Sequence, residues 1–481
     1  MANNKRALLN SILRQDLSRF IHRSFQTVVP GEVYSDNWHI QAIAWRLEQC
    51  LRGDIRRLII TMPPRSLKSI CTSVAFPAWA LGHDPALKII CASYSSDLTM
   101  KHARDCRAVM ESDWYKRAFR KTRLHPKKNT EIEFMTNRRG FRLGTSVGGT
   151  LTGKGGNLII IDDPLKPGEA MSDVRRESVK QWFDGTLYSR LDNKSEDRII
   201  LVMQRLHTDD LAGHLLEKGG WDHLNLPAIA EAKECIASGD GQTHIREPGD
   251  LLHPERENRR TLDETKSTVG TYNFSSQYQQ APIPPEGNFI QWKWFKRYQD
   301  LPDRKGQGQI LQSWDTASKP GEKNDYSVCT TWLFLDKDFY LIDVLRAHLN
   351  YPDLKRRIIS HAQKFSVDSV LIEDSASGIQ LIQDLRSHGT LRPIGIAPEG
   401  DKVTRLISQS ARIEAGYVHL PENARWLPDF EREVLQFPNA RYDDQVDSMS
   451  QALAWAKDRG NWIIEAGGTR LSAQENWGYW R

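Results

Sequence analysis

No apolar run in this 481-residue chain approaches the ~18–20 residues of a membrane-crossing helix, so nothing in it reads as a transmembrane span. Cysteine is sparse and scattered: Cys50, Cys71, Cys91, Cys106, Cys235 and Cys329 form no CxxC pair. That excludes a disulfide frame or a thiolate zinc site and suits reduced, mostly buried thiols of a cytoplasmic protein. Internal repeats are absent. The N-terminus lacks the continuous apolar centre of a signal peptide. Instead, Lys5, Arg6, Arg14 and Arg19 mix with Leu8, Leu9, Ile12, Leu13 and Phe20, which predicts one amphipathic helix over Met1–Phe25. Charge of one sign is not in large excess either: the net +5 does not by itself mark a nucleic-acid binder. Its distribution says more, because residues 101–150 hold 13 Lys and Arg against 5 Asp and Glu. Such a region can follow a phosphate backbone, although a solvated face has the same composition.

What is present is the composition of a folded protein. The chain is polar, with a mean hydropathy of −0.56, yet 39% hydrophobic residues and 15 Trp argue against disorder. Its length allows two to three domains, each with its own core. The first half alternates short apolar strands with helical stretches, as an α/β sheet requires. Strands are predicted at Arg57–Thr61, Lys88–Ser93, Leu158–Asp162 and Arg198–Met203, and helices at Asp97–Met110 and Val174–Leu191. At Gln277-Tyr278-Gln279-Gln280-Ala281-Pro282-Ile283-Pro284-Pro285-Glu286-Gly287 the texture changes. Closely spaced prolines fix extended backbone and cannot sit inside a sheet, so a linker is expected over 269–305. A second α/β unit follows over 306–458. Its predicted strands are Gln309–Asp315, Tyr326–Leu335, Phe339–Arg346 and Ser369–Glu373, with helices at Tyr351–Phe365 and Asp443–Lys457. A Gly-rich polar tail closes the chain at 459–481.

Two constellations carry chemistry. In the first, the strand ending at Thr61 runs into Pro63-Pro64-Arg65-Ser66-Leu67-Lys68-Ser69. A phosphate-binding loop sets backbone N–H groups and a Lys around the β- and γ-phosphates, while a Ser or Thr hydroxyl holds Mg2+. Lys68 and Ser69 fit those two roles. The usual glycines are missing: Met62 and Leu67 take their places, and Pro63 and Pro64 have no N–H to give. Alone, the loop is a weak match. A second strand supports it, because Leu158-Ile159-Ile160-Ile161 ends in Asp162, placed to hold the Mg2+ shell, and Asp163, placed to polarise an attacking water. Gln41, ahead of the first strand, could read an adenine edge. Gln204, at the tip of the strand ending at Met203, is placed to sense the γ-phosphate. Lys154, in the stretch Thr150-Leu151-Thr152-Gly153-Lys154-Gly155, could reach a neighbouring subunit's phosphate, or could simply be a solvent lysine.

The second constellation is acidic alone. Asp315 and Glu373 end strands, and Asp443-Asp444 opens a helix with Asp443 and Asp447 at i, i+4 on one face. Acids converging from two strand ends and a helix start can bind two divalent ions about 4 Å apart for phosphodiester cleavage, and oxygen ligands favour Mg2+ or Mn2+ over zinc. Acids also end strands and cap helices routinely, and for Asp443 capping competes. Asp325 and Asp374 are weaker candidates.

In these residues the chain resembles the large terminase subunit of tailed bacteriophages. The resemblance is carried by the Pro63–Ser69 loop, by Gly153-Lys154-Gly155 with Ile161-Asp162-Asp163-Pro164-Leu165-Lys166, by Arg205-Leu206-His207 with Asp210-Leu211, by Gln277–Gln280, and by the acidic motifs. It spans about Trp38 to Lys457. It implies an N-terminal ATPase domain of the P-loop, ASCE type over 1–268, linked to a C-terminal ribonuclease H-like nuclease. Arg65 and Ser66 then join Lys68, Ser69 and Asp162 at the nucleotide, with Asp163 and Lys68 catalytic. Asp315, Glu373 and Asp444 become the main metal ligands and Asp443 and Asp447 their supports. The resemblance further implies ATP and Mg2+ as cofactors, with Mn2+ possible in the nuclease. Its implied partners are double-stranded DNA, a small terminase subunit, a portal protein and a ring of like subunits, all in the host cytoplasm on the procapsid. Two positions depart from the family pattern. Leu67 stands for a glycine, and Lys154 stands for an arginine proposed to act in trans. Rival readings are a DNA-repair helicase-nuclease, a nuclease on an inert ATPase-like assembly platform, and an integrase-like recombinase. The first would need further strand-separation motifs, and the last leaves the first 270 or so residues unexplained.

Overall fold

The computed structural model describes residues 2–151, 153–283, 289–304, 308–316, 326–374, 377–387, 389, 391–398, 400–440 and 442–463. The chain divides into two compact units, one of Met1–Lys266 with Thr271–Pro284, the other of Ser267–Gly270 with Pro285–Arg481. The division falls inside the segment whose prolines predict a linker. Its first part, Gln277–Gln280, is nevertheless built into the first unit: the Gln280 amide oxygen accepts from the Arg205 N–H at 2.9 Å, and Gln279 bonds both backbone groups of Ile229.

The first unit is built on an eight-stranded sheet of β1 (Arg57–Thr61), β2 (Lys88–Ser93), β3 (Leu124–Asn129), β4 (Glu133–Thr136), β5 (Phe141–Ser146), β6 (Leu158–Asp162), β7 (Arg198–Met203) and β8 (Asp222–Asn225). Their order is β3-β4-β5-β2-β6-β7-β1-β8, and only the β3–β4 and β4–β5 pairs are antiparallel. The four expected strands lie where the sequence puts them, and the reason is burial. Alternate residues of each strand enter opposite cores: Leu58, Ile60, Leu158 and Ile160 on one face, Ile59, Ile159 and Ile161 on the other. The first face is covered by helices Ala2–Gln15, Leu17–Val28, Trp38–Arg52 and Ser96–Glu111. Helices Asp173–Trp182 and Leu211–Lys218 cover the second.

The single N-terminal helix expected over Met1–Phe25 is two helices. Asp16, extended at φ −129°, accepts from the Arg19 N–H at 3.0 Å and so restarts the chain as a new helix from Leu17. Helical periodicity survives such a break, which is why the pattern alone conceals it. Phe20 of the second helix is fully buried in an edge-on aromatic cluster with Trp114, Tyr115 and Phe119. A small hairpin, β9 (Glu234–Gly239) with β10 (Gln242–Arg246), completes the unit.

The second unit holds β11 (Lys296–Tyr298), β12 (Gln309–Asp315), β13 (Ser327–Leu335), β14 (Asp338–Ala347), β15 (Ser369–Glu373), β16 (Ile394–Ile396) and β17 (Val418–Pro421). Their order is β11-β17-β14-β13-β12-β15-β16, antiparallel from β12 to β14 and parallel elsewhere. Helices Tyr351–Phe365 and Ser377–Ser387 pack on one face over Trp314, Cys329 and Ile372. The last helix, Asp444–Ile463, is pinned to the sheet by buried hydroxyls: Ser448 Oγ donates to the Ser313 carbonyl at 2.7 Å and lies 2.7 Å from Thr330 Oγ1. It runs past the expected end at Lys457, so part of the segment read as tail is helical; residues 464–481 lie outside those described. None of the six cysteines is disulfide-bonded, and all but Cys235 are buried. Among the described residues no helix is long and apolar enough to cross a membrane.

Phe20→Ala should lower the stability of the first unit by about 3–5 kcal/mol, because the cluster cannot collapse into the space it leaves. Urea unfolding followed by Trp fluorescence would measure this. A loss below about 1 kcal/mol would show that the N-terminal helices are not part of the core.

Candidate active sites: a lysine–aspartate centre and an acidic cluster

The loop after β1 and the carboxylates after β6 meet because both strands are parallel and end at the same edge, with β7 between them. Lys68 and Asp162 are buried there. Lys68 Nζ lies 2.8 Å from Asp163 Oδ2. Ser69 Oγ donates to Asp162 Oδ1 at 3.1 Å, and Ser73 Oγ to Asp162 Oδ2 at 2.7 Å. Burial raises both carboxyls above the ordinary range, and the Lys68 ammonium opposes it. Asp163 sits at φ +46°, a left-handed turn that brings its Oδ1 to within 3.3 Å of the Gln204 N–H. The tip of β7 thus touches the acidic turn directly. The Gln204 side-chain oxygen is itself buried without a hydrogen-bond partner among the described residues. Beyond it, Arg205 is clamped by both Asp210 oxygens at 3.0 Å, which fixes the Arg205–Leu211 segment.

The 63–69 loop achieves its shape without glycine. Arg65 (φ +58°) and Leu67 (φ +63°) both take the left-handed conformation that favours glycine. Leu67 packs against the apolar core, Ser66 is buried, and Arg65 is exposed. Two predicted nucleotide residues are not brought to Lys68. Gln41, on the helix Trp38–Arg52, lines a polar cleft of about 410 Å3 with Asp16, Arg19, Trp45, Glu48 and Asp240, and no residue of the 63–69 loop lines it. Lys154 lies at the opposite edge of the sheet. It pairs with Glu133 at 2.6 Å and stands 5.9 Å over the Phe141 ring, beside Lys88, the first residue of β2. It therefore cannot serve the nucleotide site of its own chain. The cationic stretch 101–150 starts beside the site, leaves it through helix Asp113–Ala118, and returns with β5, which lies beside β2 and carries Arg142.

Three neighbours of Asp162 escaped the sequence reading. Ser73 is one, a helical turn past Ser69. His102 Nδ1 is 3.6 Å from Asp162 Oδ2, and burial, helped by Arg142, pushes this histidine down to about 3, so it is neutral. Arg142, on β5, is the third. Only the helix periodicity of Ser96–Glu111, which turns His102 inward, offered a signal.

In the second unit, parallel pairing of β12 with β15, Trp314 opposite Ile372, sets Asp315 and Glu373 side by side at adjoining strand ends. The last helix starts above them, bringing Asp444 and the buried Asp447. Burial pushes the Asp315 carboxyl well above its usual range, and the charges of Asp447, Glu373 and Asp444 add to it. Asp444 is raised to about 6, by burial first and then by Asp443. Lys402 and Arg405, unforeseen from the sequence, answer this charge. Lys402 Nζ is 2.7 Å from Asp443 and 2.6 Å from Asp447, and Arg405 is 2.8 Å from Asp447 and 3.9 Å from Glu373. Their i, i+3 spacing at the start of the helix Lys402–Glu414 was the available clue. Glu433 receives the N–H groups of Gln445 (2.6 Å) and Val446 (3.3 Å) and so holds the start of the last helix. Asp325 lies outside the described residues; Asp374, next to Glu373, donates its backbone N–H to the Ile396 carbonyl at 2.8 Å.

Among the described residues, no three acidic, histidine or cysteine side chains are grouped closely enough to ligate one ion as they stand. The donor set nevertheless fits a hard divalent cation. It is all oxygen, and Asp315 faces three like charges that a cation would neutralise.

Residues 312–455 match the family profile of the terminase RNaseH-like domain. The whole fold resembles the large terminase of a thermophilic bacteriophage at a TM-score of 0.54, with 10% identity, over 88% of this chain and 99% of that one. The same phage protein solved with ADP gives a TM-score of 0.51 at 10% identity, covering 86% of this chain and 97% of that one. Its ATP-γ-S complex gives 0.52 at 9%, with the same coverage. A sequence comparison with curated proteins returned no match. The chain therefore resembles large terminases, in sequence over its C-terminal third and in fold over most of its length.

The raised carboxyls fix the sign of a pH effect. Asp315 and Asp444 bind protons more tightly folded than unfolded, so stability falls as pH rises above the ordinary carboxylate range, for Asp444 through about 6. Mn2+ or Mg2+ should therefore raise the melting temperature of the intact chain clearly at pH 8 and little at pH 5, where protons compete. Asp315→Asn should abolish the gain. Equal stabilisation at both pH values would place the ion elsewhere.

Proposed function

We propose that this chain is a motor and nuclease subunit of a viral DNA-packaging machine. It hydrolyses ATP to drive double-stranded DNA into a procapsid and cuts concatemeric DNA with a divalent-metal endonuclease. The observation that carries the reading is the convergence of Lys68, Ser69, Asp162 and Asp163 at one sheet edge, with Gln204 of the intervening strand touching the acidic turn. The Lys68–Asp163 pair keeps both charges compensated. Lys68 would serve the β- and γ-phosphates, Ser69 and Asp162 would hold Mg2+, which supplies charge neutralisation there, and Asp163 would orient water. Gln204, through its N–H on Asp163, carries a change at Asp163 to the Arg205–Leu211 segment.

In the second unit Asp315, Glu373 and Asp444 bind the metal, with Asp443 and Asp447 held behind them by Lys402 and Arg405. Two divalent ions there would activate water and steady the leaving 3′-oxygen. The wider setting of the proposal is a ring of subunits on a portal in the host cytoplasm, with a small terminase subunit choosing the DNA. In that ring Lys154, remote from its own nucleotide site, acts on a neighbour's phosphate after leaving Glu133. Gln41 reads the adenine only if its cleft opens toward the loop. One observation favours a second reading, an inert ATPase-like platform: Leu67 holds a side chain at left-handed φ where a glycine would leave room for phosphate.

Steady-state ATP hydrolysis with double-stranded DNA separates the two. Lys68→Ala should lower kcat about 100-fold or more, the scale of losing one charge-stabilising donor. Absence of turnover in the wild type, even at concentrations that force self-association, would leave the platform reading. Separately, Asp315→Asn should abolish Mn2+-dependent plasmid cutting while ATP turnover persists. Cutting that survives this change, or survives EDTA, would sink the nuclease assignment.

A further inference from the structure

Arg142 is fully buried on β5, and it makes no ion pair among the described residues. Its Nη2 donates to the Ser73 carbonyl at 3.3 Å and the guanidinium also faces the buried Cys91 thiol of β2, while no carboxylate pairs with Nε or Nη1 among those residues. Arginine keeps its charge at any accessible pH, and a buried charge is tolerated only where something compensates it. The compensation lies one residue away. Ser73, whose carbonyl takes the guanidinium, gives its hydroxyl to Asp162 Oδ2 at 2.7 Å. Ser73 also belongs to the helix Ile70–Ala75 that begins directly after Lys68 and Ser69. The guanidinium is thus tied to both halves of the site, the loop's helix and the acidic strand. Charge counting agrees. Asp162 and Asp163 carry two negative charges and Lys68 one positive, so Arg142 brings the buried group to neutrality, His102 being uncharged.

We propose that Arg142 is a positioning residue for ATP hydrolysis, fixing Asp162 through Ser73 and supplying the counter-charge that leaves Lys68 free to turn to the phosphates. It touches neither nucleotide nor metal. The proposal rests on Asp162 being the carboxylate that holds Mg2+.

The test compares the intact chain with Arg142→Met, Arg142→Lys and Ser73→Ala. Its readouts are melting temperature, kcat and KM for MgATP, and the Mg2+ concentration at half-maximal ATP turnover. Arg142→Met keeps the volume but leaves Asp162, Asp163 and Lys68 with one uncompensated negative charge, so its melting temperature should fall. Its half-maximal Mg2+ concentration should rise, and its kcat fall, about tenfold, the scale of losing a partner behind a metal ligand. Arg142→Lys should fall between it and the wild type. Ser73→Ala, which cuts the relay without touching the charge, should shift Mg2+ dependence in the same direction. ADP binding in EDTA should be unchanged throughout.

A stable Arg142→Met with wild-type Mg2+ dependence overturns the proposal, as does a lowered melting temperature with unaltered turnover. Should Arg142→Met fail to fold, Ser73→Ala decides: wild-type Mg2+ dependence there also overturns it. A wild-type protein that neither binds MgADP nor turns over ATP would instead defeat the ATPase reading itself.

Discussion

A fully buried parallel sheet can present charge only at its ends, and that constraint arranges the first unit. β1, β6 and β7 are apolar on both faces, so each can offer polar groups only at its ends, and here the C-terminal tips with the turns beyond them carry the site. Because the three are adjacent and parallel, their tips form one polar edge in an otherwise dry interior. Lys68, Asp162, Asp163 and Gln204 all come from that edge. Its dryness gives the contacts their strength: the same pairs in water would be worth little. Parallel order does more here than any single motif, since it makes three separate stretches of sequence into one site.

The second unit meets the same constraint with acids alone and solves it differently. Here like charges converge, and the fold must hold them together against their repulsion. It does so by anchoring the carriers rather than the charges. Ser448 and Gln451 bind the last helix to Ser313 and Thr330 beneath it, and Glu433 holds its first turn. The helix cannot ride up to relieve Asp444 and Asp447. Lys402 and Arg405 then neutralise the outer carboxylates, while Asp315 is left with the strongest push toward protonation. A site organised this way holds like charges that a divalent cation would relieve.

The eight strands read from the sequence lie almost to the residue where it puts them, because aliphatic runs bounded by charge leave a sheet no other place to begin or end, whereas β3–β5, β8–β11, β16 and β17, less uniformly apolar, were not read from it. The pairing of the two key motifs was legible for the same reason. What stayed hidden depends on strand order, which sequence does not display. Lys154 is close to Asp162 along the chain, yet it precedes β6 whereas Asp162 ends it, so they fall at opposite edges. Arg142 reads as an ordinary cation in a basic stretch until β5 is placed beside β2, which turns it into the interior. Ser73 and His102 are likewise commonplace residue types that acquire a role only when their helices pack against β6. The break at Asp16 was hidden for a local reason, a cap that leaves helical periodicity intact across it.

The 63–69 loop poses the problem of how two left-handed positions that favour glycine are held by Arg65 and Leu67. A left-handed leucine costs about 1–2 kcal/mol relative to its right-handed form. Burying a leucine side chain fully returns about 1.5–3 kcal/mol, of which the partly buried Leu67 recovers a share. Leu67 does pack against the core, so the two terms are of the same size and the loop is held at little net cost. The consequence differs from that of a glycine. A glycine loop is pliable and closes around its ligand, whereas a loop nailed down by Leu67, with Pro63 and Pro64 stiffening its approach, is set before the ligand arrives. Preorganisation of that kind lowers the entropy lost on binding, and it makes the space beside Lys68 depend on how the core seats one side chain.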